Sequence, residues 1–297
     1  MNRKERRRQA KLGRGTEPAK PAPAGGGFGG QDALALLRGE RARPASTPLP
    51  PPTEPPLTDA AIGNRVQFEV LDILRGGGAA AAILPAAAAA TVKIVEQSWS
   101  EQRPAAEARK QPGFACAAGC AWCCYQQVSV APAEAIAIAG HVRMSFSPTA
   151  LAALKSRLTT LDSRSHGLGP RGRARLKAPC AFLSDGTCSI YAVRPLRCRG
   201  VYSRDAGHCR WAMENPDEIF SNRARHGRPG PYPVEPARIM DAALTGLARA
   251  FAEHRLSWGA LDLTAALKVA LDTPDLAERY RSGEPVFAGA ELPDRDD

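Results

Sequence analysis

The 297-residue sequence lacks an apolar run of the length, about 18 residues, that a membrane-crossing helix needs. The best candidate, residues 79–95, is mostly alanine and contains Pro85 and Lys93, so a multi-span membrane class is excluded. No apolar stretch stands behind the basic start Met1–Lys11, which argues against a Sec or twin-arginine signal. A cytoplasmic protein is therefore expected. No His-Glu-x-x-His run and no nucleophile elbow occur, and the carboxylates are too dispersed to nominate a catalytic pair. The glycine run 25–30 is not set between a strand and a helix, so it is not read as a phosphate loop. No internal repeat is present.

Negative charge is also in short supply, with 30 Asp+Glu against 40 Lys+Arg and a net charge of +10. Six of those ten charges sit in residues 1–20, which leaves about +4 for the remaining 277 residues. That remainder is not the footprint of a nucleic-acid-binding domain. The basic tail is read as a solvated segment rather than as a contact for RNA or anionic lipid. Arginine supplies 32 of the 40 basic residues and alanine is abundant, which fits a GC-rich bacterial genome better than phosphate recognition. A protein partner is conceivable; a membrane partner is not expected, nor is nucleic acid beyond the tail.

Five segments follow from composition and periodicity. Residues 1–57 hold ten Pro and eight Gly and too few large apolar residues to offset their ordering entropy, and are expected to be a disordered arm. Residues 58–112 read as a helical hairpin. Its first helix is capped at Asp59, carries Ile62, Val66, Val70, Ile73 and Leu74 on one face, and stops at the glycines 76–78. Its second, Ala-rich helix is expected to run to about Arg103, where Pro104 and Pro112 would break it. Residues 113–212 hold every cysteine. Within them a β-like stretch 127–130, helices from Pro132 and from the Ser147-Pro148 cap, a loop 163–177 and a hairpin around Ser184-Asp185-Gly186 are expected. Residues 213–282 read as a loop 223–233, a helix 235–254, a helix over 260–271 capped by Ser257, and a last short helix from Thr273-Pro274. Residues 283–297 read as a frayed tail. The predicted class is mainly α, with a small β-hairpin element and a cysteine-rich, metal-centred core packed by helices.

Eight cysteines make the informative pattern. Cys116, Cys120, Cys123 and Cys124 form one tight group, and Cys180, Cys188, Cys198 and Cys209 are spread over the following stretch. In a reducing cytosol such a set reads as metal ligands or redox thiols rather than as disulfides. Spacings of two or three residues let successive thiolates turn toward one centre, and soft sulfur donors select zinc, Cu(I) or an iron–sulfur cluster over magnesium or calcium. Gly119, Gly186 and Gly200 lie near these cysteines, where the chain must turn tightly or approach something closely. The neighbours Cys123 and Cys124 diverge by roughly 100° on a helix or 180° on a strand, which favours a cluster or two metals over one plain zinc site. Interleaved with the later cysteines are Arg194, Arg197, Arg199, Arg204 and Arg210, suited to balance an anionic metal–thiolate centre. His208, next to Cys209, is an alternative ligand. His141, His166, His226 and His254 have no matching spacing.

The stretch from Cys116 to Cys124 resembles the signature of the bacterial CxxCxxCC family of zinc- or iron-chelating cysteine-cluster proteins. The second half agrees: Cys180-Ala-Phe-Leu, Gly186-Thr-Cys188-Ser-Ile190-Tyr191 and Arg194-Pro195-Leu-Arg-Cys198-Arg199 follow in the same order. One departure is visible, since three residues rather than two separate Cys116 from Cys120, and Gly119 can absorb the extra one. The resemblance covers about residues 114–209 and implies metal binding through the cysteines without a settled activity. A relative, the flagellin lysine N-methylase, carries a similar cysteine core with an iron–sulfur cluster, so a protein-modifying methyltransferase is a second expectation by analogy. A structural zinc module that presents a partner surface is a third.

Overall fold

The structure is a computed structural model and describes residues 57–108, 113–226 and 230–293. The arm expected over 1–57 falls almost wholly outside the described residues, as does 294–297 of the expected tail. Helix α1 spans Asp59–Arg75, with Thr58 rather than Asp59 as its N-cap: the Thr58 hydroxyl accepts from Ala61 N at 3.2 Å. Its apolar stripe, Ile62, Val66, Val70 and Leu74, is fully or almost fully buried.

Helix α2 runs over Ala80–Ala108, with Pro85 and Pro104 both inside it. The expected break at Pro104 does not occur, because the last turn is held from outside. Ala106 is buried and its carbonyl accepts from the Arg204 guanidinium at 2.8 Å. Tertiary contact thus overrides the cost of the missing N–H. By length and composition α2 is the one described helix apolar enough to cross a bilayer, contrary to the expectation from the sequence. Its buried side chains pack against α1, against α3 (Pro132–Ser145) and against α9 (Val234–Glu253).

The frame closes where α9 lies on α1. Their backbones approach at Gly63 and Gly246: a Cβ at position 246 would stand 2.1 Å from the Gly63 carbonyl oxygen. Around that crossing Ile239, Met240, Ala243, Leu247, Ala250 and Phe251 of α9 are buried. A second layer joins α3 and α4 (Pro148–Ser165) to α10 (Leu263–Asp272). Ser147 caps α4 as expected, accepting from Ala150 N at 3.2 Å.

Two small antiparallel ribbons complete the mainly α fold. Strands β1 (Ser129–Val130) and β4 (Leu261–Asp262) pair Ser129 with Asp262 and Val130 with Leu261. The expected helix over 260–271 therefore starts later. Asp262 rather than Ser257 caps it, accepting from Thr264 N and Ala265 N at 2.9 and 3.1 Å. Strands β2 (Leu183–Ser184) and β3 (Thr187–Cys188) form the expected hairpin. Its turn residues Asp185 and Gly186 both have positive φ, the mirror-image turn that fits strand twist.

Short helices fill the rest: α5 (Pro170–Arg175) inside the expected loop 163–177, α6 (Leu196–Arg199), α7 (Ala206–Glu214), α8 (Pro216–His226) and α11 (Leu276–Arg281). Helix α8 occupies the start of the loop expected over 223–233. The stretch from 283 to 293, expected to fray, is packed down: Phe287 and Ala290 are buried, and Glu291 bridges to Leu261.

Candidate metal centre

The cysteine window is assembled from loops rather than from long elements, so its geometry depends on specific tethers. Phe114, at its entrance, stacks with Trp99 of α2 and with Tyr202, all three ring pairs lying 5.2–5.6 Å apart. Arg204 covers the Phe114 ring at 4.8 Å. This cluster fixes residues 114–116 beside 202–204. Ala115 N then donates to Ser203 O at 2.8 Å, and Ser203 N donates to the Cys116 sulfur at 3.3 Å. Gly119 has φ +84°, and its carbonyl lies against the hairpin tip, 3.8 Å from where a Gly186 Cβ would stand. The extra residue between Cys116 and Cys120 is taken up at that left-handed glycine.

Cys123 and Cys124 lie in a single 3-10 turn, Trp122–Tyr125, and the carbonyl of Cys124 accepts from Cys180 N at 2.8 Å. That bond joins the two cysteine groups. Arg173 of α5, which the sequence reading did not single out, is buried and donates to Tyr125 O at 3.2 Å, anchoring the end of the same turn. The later cysteines follow on β3, on α6 and on α7, for Cys188, Cys198 and Cys209 respectively.

The sulfurs sense one another across these tethers. Desolvation raises the Cys116 thiol above its ordinary range, and the neighbouring Cys120, Cys123 and Cys209 raise it further, against the Ser203 N–H that lowers it. Cys209 is likewise raised by desolvation, with Cys120 and Cys123 adding to it, while the Ser203 and Tyr232 side chains pull the other way. Burial pushes Cys180 up to about 11, with Cys188 adding and Arg173 opposing. Burial is also the main cause of the rise at Cys198, reinforced by Cys180, Cys123 and Cys188. Cys188 is raised chiefly by desolvation, with Cys123 also beside it. Cys123 is strongly raised, first by its hydrogen bond with the Cys124 thiol and then by desolvation.

Two overlapping neighbourhoods emerge. Cys116, Cys120 and Cys209 make one, Cys180, Cys188 and Cys198 the other, and Cys123 is felt by members of both. Cys209 thus sides with the first cysteine group although the sequence places it in the second. Ser203 explains why, since it touches both Cys116 and Cys209. No spacing rule could have found Ser203 or Tyr232. All eight thiols are free, and among the described residues no three Cys, His, Asp or Glu side chains stand at ligating distance of a common point.

The five arginines separate into different roles. Arg197 pairs with Asp241, and Arg210 with Glu214 at 2.9 Å. Arg199 is buried; it ion-pairs with Glu96 and donates to Ala192 O and Arg194 O at 2.6 and 3.0 Å. It therefore braces the loop ahead of Cys198. Arg204 serves the Phe114 cluster, as described. Arg194 is the member whose charge falls on the sulfurs, lowering Cys123, Cys188 and Cys198. Glu134 of α3, also missed, is buried and accepts from Ala131 N at 2.9 Å and Leu196 N at 2.7 Å. One carboxylate so caps its own helix and holds the start of α6. Gly200 is needed for a different close approach from the one expected: a Cβ there would meet Met240 of α9 at 2.6 Å.

His208 is held by aromatic neighbours. Its ring packs 5.5 Å from Trp211 and 5.6 Å from Tyr232, with Nε2 against Gly230. Beside Cys123 and Cys209 lies a cleft of about 190 Å³, whose wall includes Trp122, Tyr125, Tyr202, Phe220 and Tyr232 and no carboxylate.

The donor set fits a thiophilic metal or cluster. Eight soft sulfurs are divided between the two neighbourhoods, and the charge of Arg173 falls on Cys180 and that of Arg194 on Cys123, Cys188 and Cys198, opposing their rise. Residues 115–219 match the family model CxxCxxCC, described as "Putative zinc- or iron-chelating domain". The matched window is about a third of the chain, and the match supports metal binding in general terms. No curated protein and no solved structure matches the chain.

Proposed function

We propose that this is a cytoplasmic metal-binding protein whose two cysteine groups hold one shared centre, either an iron–sulfur cluster or a pair of zinc ions. The observation that carries the reading is the 2.8 Å hydrogen bond from Cys180 N to the Cys124 carbonyl, which joins the two groups, with the Cys123 charge felt by Cys116, Cys209, Cys188 and Cys198. A site built from the first group alone would leave no reason for Cys209 to share Ser203 with Cys116. Cys116, Cys120, Cys123 and Cys209 are the ligands proposed for one side, and Cys124, Cys180, Cys188 and Cys198 for the other. Zinc there would cross-link the loops, whereas an iron–sulfur cluster would add one-electron chemistry.

Paired substitution tests the sharing. Cys120→Ala and Cys198→Ala are each expected to lose metal from the common centre. Full metal retention in Cys198→Ala beside complete loss in Cys120→Ala would overturn it. Anaerobic purification decides the metal: a brown protein with bound sulfide means iron–sulfur, and a colourless one with stoichiometric zinc means zinc.

A second reading, an enzyme that uses the centre, is favoured by the aromatic cleft, which opens onto two of the proposed ligands, Cys123 and Cys209. Structural zinc sites are closed, while catalytic ones keep an approach for substrate. Methyl transfer to protein remains the activity suggested by analogy.

A further inference from the structure

We propose that the aromatic cleft beside Cys123 and Cys209 is a binding site for a small uncharged molecule built on a single aromatic ring. The inference deepens the reading in which an enzyme uses the centre, but it claims binding alone and needs no metal in place.

The wall is held in shape by groups outside the cleft. Trp122 and Tyr125 line it from the 3-10 turn, Phe220 from α8 and Met240 from α9. Tyr202 is stacked on Trp99 and Phe114, with centroids 5.2 and 5.3 Å away. Tyr232 meets His208 edge-on at 5.6 Å, and Arg210 lies over the Trp122 ring at 5.7 Å. Gly200, also in the wall, lets Met240 come close: a Cβ at position 200 would stand 2.6 Å from the Met240 Cγ. Rings fixed from behind do not collapse into the space between them. The cleft is thus preorganised, which lowers the cost of filling it.

Size selects one ring. The volume of about 190 Å³ is close to the ~150 Å³ of an engineered apolar cavity that takes benzene, and below the ~300–1,000 Å³ of sites for drug-sized ligands. A nucleotide would lie mostly outside it.

Chemistry selects an uncharged ring. Five residues of the wall are aromatic and two are methionines, surfaces that pack well against another ring. Among the described residues the wall has one charged side chain, Arg197, and that guanidinium already pairs with Asp241. A ligand charge of either sign therefore finds no unpaired partner, and a charge taken out of water without one is costly. Cations meet a further obstacle, because Trp122, the best ring type for them, already carries Arg210. A single hydroxyl on the ligand can be met by a tyrosine phenol of the wall.

Three probes with the same ring and different charge test the proposal: benzyl alcohol, benzoate and benzylamine as its ammonium ion. Each is titrated into the full chain as purified and followed by ligand-observed NMR. Benzyl alcohol is expected to bind saturably and about tenfold or more tightly than either ion. 2-Propanol, which lacks the ring, should give no signal. Ala237→Phe on α9 places a ring in the space and should abolish binding while the helical dichroism stays at the wild-type value. Should that variant fail to fold, Ala174→Phe on α5 fills the same cleft from another element. No binding by any probe, an ion that binds as tightly as benzyl alcohol, or binding that persists in the folded filled variant would overturn the proposal. Tighter binding of N-acetylphenylalaninamide than of benzyl alcohol would assign the cleft to a protein side chain and overturn it too. The metal-binding reading is decided separately by metal content and the enzyme reading by turnover, so the failure of either is distinguishable from failure here.

Discussion

The crossing of α1 and α9 and the contact of the two cysteine groups are both long-range junctions, but they are built from different materials. At the crossing, two glycines let backbones touch, and buried aliphatic side chains surround the contact on every side. At the cysteine junction a single backbone hydrogen bond, Cys180 N to Cys124 O, is flanked by two-residue strands, one-turn helices and half-exposed thiols. Apolar burial at about 25 cal/mol per Å² can hold the first without help. The second is anchored by Phe182, Ile190 and Leu196, which are buried, and adds charged tethers: Arg199, Arg173, Glu134 and, in our reading, a metal. A frame and a clasp, differently stabilised, should fail under different insults.

The largest separation is expected on metal removal. Structural zinc contributes roughly 10–16 kcal/mol in small domains, so chelation should open residues 113–212 to protease and hydrogen exchange. The helical dichroism of α1, α2 and α9 should largely survive. Equal protection of that window with and without metal would show that the clasp holds itself closed. Next in size is the reverse experiment, an attack on the frame. Gly246→Leu forces a side chain where even a Cβ would meet the Gly63 carbonyl at 2.1 Å. Overpacking of this kind costs about 1–3 kcal/mol and more where backbone must separate. A urea melt should show that loss, while metal bound per folded molecule stays at the wild-type value.

The smallest effect joins the two regions at Glu134. Burial holds its carboxyl above the usual carboxylate range, against an ordinary value of 4.5. A native pKa above the unfolded one means that the fold binds this proton more tightly. The corresponding stability is fully present below about pH 4.5 and is lost as the pH rises through the native value. Glu134→Gln should abolish that slope. It should also cost about 1–2 kcal/mol where the carboxylate is ionised, because one amide cannot accept from both Ala131 N and Leu196 N. Urea midpoints measured across the acid range check both parts; a variant with the wild-type slope would show that Glu134 does not titrate in this way.

What could be read from the sequence follows the same division. The stripe Ile62–Val66–Val70–Leu74, the Ser147-Pro148 cap and the Asp185-Gly186 turn are local codes, and each appears where its chemistry places it. The continuation of α2 past Pro104 was not readable, since it depends on Arg204 reaching a carbonyl 98 positions away. The late start of α10 depends on β1, which claims residues 261 and 262 from 131 to 133 positions earlier in the chain. At the centre, thiol identity was plain but grouping was not. Cys209 belongs with Cys116 through Ser203, and serine carries no signature that would announce such a task. Among five similar arginines, only three-dimensional partners single out Arg194.

The return of Cys209 to Cys116 also sets an order of events during synthesis. Translation proceeds at about 5–20 residues per second, so the last of these cysteines is made roughly 5–20 s after the first. For most of that interval the nascent chain carries Cys116 without the Ser203 that meets it. Whatever delivers the metal must therefore wait for the ribosome to finish this stretch, or bind early and be handed across as the later cysteines emerge.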